Sequence, residues 1–169
     1  LFLWGYNYAR IPIEEQVKLD VAPLSKEALC ENLKAEAAVI SELRATIGTD
    51  SIDIQSAQLP EDLEAEIKRN LKAVLKDLGY PHKFNPKVQQ LRPKGILLRF
   101  QTLGVYFPWT GECNLDAGLH PLEVPHVMAH ELAHGYGFGD EGTCNFLAYL
   151  ACTRSDNPII KYAGHFEYY

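Results

Sequence analysis

The sequence predicts an α+β domain, mostly helical, with one small antiparallel sheet next to a metal-binding helix. Three observations carry that prediction. Two apolar repeats at helical spacing fill the first half of the chain. A stretch rich in β-branched and aromatic residues, broken by glycine and proline, lies in the middle, and three helical segments follow it to the end. At 169 residues the chain has the length of one domain able to bury a real core, and we read 1–169 as a single unit.

The elements follow in chain order. Residues 1–24 read as an extended lead-in, and because the chain opens "LFLWGYNY" without methionine we expect it to be a piece of a longer protein. Leu29, Leu33, Ala37, Ile40 and Ile47 then recur at helical spacing between Ser25, a cap residue, and Gly48, a helix stop. A second amphipathic repeat follows Pro60, Glu61 and Asp62, with Leu63, Ile67, Leu71, Val74 and Leu78 on one face and Gly79 beyond its end. Both helices, within 25–80, are expected to be core scaffold. Residues 94–116, "KGILLRFQTLGVYFPWTGECNLD", predict two or three short strands interrupted at Gly104, Pro108 and Gly111. Residues 125–169 hold the three remaining helices, the first opened by Pro125.

Composition excludes several classes. A net charge of −6 and scattered basic residues argue against a nucleic-acid partner or an anionic surface; Lys68, Arg69, Lys72 and Lys76 read as the solvated face of a helix. No apolar run reaches the roughly 18 residues that a membrane span needs, and the opening residues are not expected to be a signal peptide. Cys30, Cys113, Cys144 and Cys152 show no CxxC spacing and are read as thiols. Cys144 and Cys152 would lie about 12 Å apart along one helix, too far to bridge each other.

The chemistry concentrates in 126–146, "HVMAHELAHGYGFGDEGTCNF". His130 and His134 stand one turn apart on one face, about 6 Å in rise, so both imidazoles can reach one ion at Zn–N distances of about 2.0–2.1 Å. Glu131, about 100° round the helix, is misplaced for ligation and well placed to take a proton from the metal's water. With this composition an HExxH arises by chance about 2 times in 100, and an accidental copy would lack a third ligand. His126 lies about 12 Å of rise from His134 and cannot join the same ion. It is read as a first-turn or supporting residue.

The third ligand must follow the helix, after Gly135 ends it and Gly137 and Gly139 let the backbone reverse. Two schemes compete. Asp140 would complete an HExxHxxGxxD layout of the metzincin kind, which expects a downstream methionine, but the only methionine, Met128, lies upstream. Glu141 would instead ligate from the first turn of the next helix, with Asn145 one turn later accepting the far N–H of a ligand histidine. Glu141 is the favoured ligand; Asp140 is the alternative, or else the helix cap.

Two imidazoles and one carboxylate leave a coordination position for water on Zn2+, with Glu131 as general base, and such a site hydrolyses peptide bonds. A peptide or protein substrate would lie along a strand edge within "GVYFPWTGECN", where Glu112 and Asn114 could face it or could be ordinary polar residues on a wet strand face. Tyr162 and His165 near the C-terminus and Tyr136 in the glycine loop are candidate oxyanion donors, although aromatic packing explains each as well.

Together these residues resemble a bacterial membrane-protein family catalogued as domain of unknown function 3810. The likeness runs nearly end to end: "WGYNYAR" at 4–10, "GVYFPWTGECN" at 104–114, "HELAHGYGF" at 130–138, "NFLAYLAC" at 145–152 and "KYAG" at 161–164. The resemblance implies a zincin-like soluble domain of gluzincin type, carried after N-terminal membrane helices absent from this chain and facing the extracytoplasmic side. It also implies an acidic ligand where Glu141 stands and an asparagine at Asn145. The chain departs from the family pattern at Cys113 and Cys144, where small residues are usual, at Thr143, where a second acid is usual, and at Asp140, where a basic residue is usual. A cysteine at 144 beside a metal could ligate or be oxidised. The expected function is a zinc-dependent metallopeptidase. The alternative is a catalytically silent zinc-binding sensor or interaction domain of a membrane protein; an intact Glu131 favours the enzyme.

Overall fold

The computed structural model describes residues 10–48, 59–80 and 83–169; the lead-in residues 1–9 and most of "WGYNYAR" lie outside them. The elements, in order, are α1 (Ile13–Gln16), α2 (Lys26–Ile47), α3 (Leu63–Asp77), β1 (Lys87–Leu91), β2 (Gly104–Phe107), β3 (Glu112–Asp116), α4 (Val124–Gly135), α5 (Glu141–Thr153) and α6 (Pro158–Tyr168). The fold is α+β and mostly helical, as the sequence predicts. None of the described helices is long and apolar enough to cross a membrane.

Both early helices start and stop where their capping residues stand, yet they play different parts. Ser25 accepts the N–H of Ala28 at 3.1 Å, and Gly48 ends α2 in the left-handed region at φ 76°. No α2 residue is fully buried, and the helix packs mainly against α6. The expectation that α2 belongs to the core is therefore corrected: its apolar residues cover a flank. In contrast, α3 buries Leu63, Ile67, Leu71, Val74 and Leu75 against α4 and α5. Each such side chain contributes about 1.5–3 kcal/mol of transfer free energy.

The sheet differs from the antiparallel one expected. Its strand order is β1-β3-β2, with β2 antiparallel to β3 and β1 parallel to β3, so the sheet is mixed and β3 is central. Val88, Tyr106, Cys113 and Leu115 turn inward onto the main core. The stretch 94–100, expected to pair as a strand, instead wraps round Asp116. That buried carboxylate accepts the N–H groups of Gly95 (2.7 Å), Leu97 (2.7 Å), Leu98 (3.3 Å) and Gly118 (2.6 Å). Burial alone would raise the Asp116 pKa, but the four N–H donors outweigh it and hold the carboxyl below its usual range. The same loop continues to 101–103, which forms a wall of the cleft described below.

The last three helices bring the site together. α4 begins at Val124, one residue before the expected start, and its final residue Gly135 lies so close to Pro86 that an added Cβ would fall 2.7 Å from the proline ring. Asp140 caps α5 by accepting the N–H of Thr143 at 2.7 Å, and Asn157 caps α6 by accepting from Ile159 and Ile160. Gly164 lets α6 approach α5, since a Cβ there would sit 2.6 Å from that of Cys152. All four cysteines are free thiols.

Candidate metal centre

The end of α4 and the start of α5 converge on one point. His130 and His134 occupy the last two turns of α4, Gly137 at φ 92° reverses the chain, and Glu141 is the first residue of α5. The two Nε2 atoms are 3.1 Å apart; Glu141 Oε2 lies 3.0 Å from His130 Nε2, and Oε1 lies 3.4 Å from His134 Nε2. Donors bound tetrahedrally to one zinc at about 2.0–2.1 Å must themselves be about 3.3 Å apart. The triangle already has that size.

The outer hydrogen bonds fix which ring nitrogens carry protons. His134 Nδ1 is 2.8 Å from the carbonyl oxygen of Phe138, which can only accept, so Nδ1 bears the hydrogen. His130 Nδ1 is likewise 2.8 Å from Asn145 Oδ1. In the neutral rings both Nε2 lone pairs then face each other and a carboxylate, three acceptors with no hydrogen between them. A cation resolves that arrangement. Burial first and His134 second push the His130 pKa down, while Asn145 and Glu141 pull the other way. Among the described residues this is the one group of three His, Cys, Asp or Glu side chains with metal-binding spacing.

Glu131 stands beside the triangle and outside it. It is 5% exposed, its Oε2 has no hydrogen-bond partner, and a backbone hydrogen bond from Tyr106 reaches its carboxylate. Burial, then the Glu141 carboxylate, push its pKa up to about 8 against the pull of that Tyr106 bond. Gly104, at the start of β2, makes room for it: a Cβ there would lie 2.8 Å from Glu131 Oε1. Triangle and Glu131 open on a cleft of about 460 Å³. The edge strand β2 contributes Gly104, Val105 and Tyr106 to its lining; His126, Asn145 and Glu167 contribute as well. His126 is driven down to about 4, by burial first and His130 second, so it faces the cleft uncharged.

The other residues singled out from the sequence lie elsewhere. Asp140 is the α5 cap and is not in the triangle. Cys144 Sγ is 3.4 Å from His134 Nδ1, behind the ring and away from the converging Nε2 atoms, so it packs against a ligand without joining it. Glu112 accepts from Gln89 at 2.5 Å and Asn114 donates to the Val105 and Glu112 carbonyls, both on the central strand and off the cleft. Tyr162 stacks on Phe166 and under Arg44, and His165 binds Glu36 at 2.6 Å; neither lines the cleft. The hydroxyl of Tyr136 is buried without a partner, and burial followed by the neighbouring Cys113 thiol pushes it to about 12. Sequence reasoning missed Gly104, the Phe138 carbonyl and Glu167. Only Gly104 left a trace, as a glycine opening a strand.

A family model described as a protein of unknown function (DUF3810) matches residues 1–169. The chain belongs to this family. No curated protein and no solved structure matches it. The family's description assigns no activity. Asn145→Ala removes the acceptor that orients His130, and zinc affinity measured by competition with a chromophoric chelator is expected to fall about 10–100-fold. Unchanged affinity would show that the Asn145 contact does not orient the ligand.

Proposed function

We propose that this DUF3810 chain is a zinc-dependent peptidase of gluzincin type, with His130, His134 and Glu141 as ligands and Glu131 as general base. One observation carries the reading: three acceptor groups, the two Nε2 atoms and the Glu141 carboxylate, sit at zinc-ligand separations beside a buried carboxylate whose second oxygen is unpartnered. The donor set fits a catalytic rather than a structural zinc, because two imidazoles and one carboxylate leave a position open. The ion would supply Lewis acidity, acidifying a water and polarising the scissile carbonyl. The chain does the rest. Glu131, which lines the cleft beside the triangle, would take a proton from that water and return it to the leaving amine. β2, an edge strand of the described sheet, borders the cleft where an extended peptide would lie, the Phe138 carbonyl and Asn145 hold the rings, and Gly104 leaves Glu131 its space.

The test is a broad library of internally quenched peptides incubated with zinc-loaded protein. Cleavage that stops with a chelator and returns with zinc is expected. Absence of cleavage by protein shown to hold one zinc would overturn the peptidase reading and favour the sensor.

A further inference from the structure

The metal cleft does not end at the metal. It shares His126, Asn145 and Glu167 with a second chamber of about 810 Å³, walled by α2, α5 and α6. Among the described residues lining the two chambers, four are glutamates, Glu36, Glu131, Glu141 and Glu167, and none is lysine or arginine. The far wall is aromatic: the rings of Tyr149 and Tyr168 lie 5.0 Å apart, with Phe146 on the same chamber. Glu36 is held at this wall, its Oε1 taking both His165 Nδ1 at 2.6 Å and the Tyr149 hydroxyl at 3.5 Å. An acidic rim with aromatic faces behind it is the environment that selects a cationic side chain over a neutral or anionic one. The buried Glu131, whose Oε2 has no partner, lines the metal cleft, which communicates with this chamber through His126, Asn145 and Glu167.

We propose that the second chamber is a specificity pocket for a cationic side chain, so that substrates of this site carry lysine or arginine beside the scissile bond. The inference rests on the peptidase reading. Glu167 is its most telling residue: it lines both chambers, and burial together with the Glu123 carboxylate raises its pKa, as expected of an acid lacking a positive neighbour. A bound ammonium or guanidinium would supply that charge.

The experiment is a positional-scanning peptide library read by mass spectrometry with zinc-loaded protein. One position flanking the cleaved bond should favour Arg and Lys over Gln by about 10-fold or more, and over Glu by more again. Glu167→Gln should reduce the Arg-to-Gln ratio to within about 3-fold, and Glu36→Gln should shift it the same way. Cleavage without a preference for Arg or Lys overturns the inference while leaving the peptidase intact. A second measurement separates the converse case: fluorescence anisotropy of zinc-loaded Glu131→Gln protein with an Arg-containing peptide and its Gln counterpart. Preferential binding of the Arg peptide, lost in the Glu131→Gln, Glu167→Gln double variant, supports the chamber even if no peptide is cleaved. Equal binding overturns it.

Discussion

Glu131→Gln is expected to keep zinc and lose turnover, with kcat falling about 10²–10⁴-fold. Gln preserves the shape that Gly104 accommodates and an oxygen for the Tyr106 bond, so the cleft keeps its form. What it cannot do is hold a proton at the second position, where Oε2 now stands without a partner. Because Glu131 is outside the triangle of donors, zinc affinity should stay within about 3-fold of the parent, the mark of a group that acts on the proton and not on the metal. Turnover undiminished in this variant would remove Glu131 from the chemistry.

His134→Ala is expected to weaken zinc binding by more than about 100-fold, beyond what loss of a supporting partner does. Its Nε2 lies 3.1 Å from that of His130 and 3.4 Å from Glu141 Oε1, so its removal leaves one nitrogen and one exposed carboxylate. The variant also strands the Phe138 carbonyl and opens a hole in a buried region, so the metal-free protein should itself be less stable. The decisive readout is therefore the zinc-induced rise in melting temperature. Zinc at 1,000 times Kd stabilises the parent by about 4 kcal/mol, and His134→Ala should show little of that rise at the same concentration. A rise equal to the parent's would mean that His134 is not a ligand.

What the sequence revealed, and what it hid, divides along local and non-local lines. Caps are local: Ser25, Gly48, Asp140 and Asn157 each sit at a helix end where the structure uses them. The imidazole pair is local too, because one helical turn places His130 over His134, and a glycine-rich reversal brings Glu141 within reach. The sheet is not. β1, "KVQQL", has no apolar alternation, and its partner β3 lies more than 20 residues on, so its parallel pairing is settled by tertiary contact. The stretch at 94–100 has strand-like composition, but the hydrogen bonds that the Gly95, Leu97 and Leu98 N–H groups donate to the Asp116 carboxylate outcompete the ladder. α2 shows a clear apolar repeat without a core to enter, since periodicity reports which face is apolar and not how deeply it is covered. Glu167 reaches the cleft only because α6 folds back, which nothing near it in sequence announces.

Anomalous diffraction at the zinc edge from crystals of zinc-loaded protein decides whether His130, His134 and Glu141 hold one zinc ion. A single peak per chain is expected, bonded to both Nε2 atoms and to the Glu141 carboxylate, with Asp140 and Cys144 outside bonding distance. Protein that takes up no zinc, or an ion bound to Asp140 or Cys144 in place of Glu141, would contradict it.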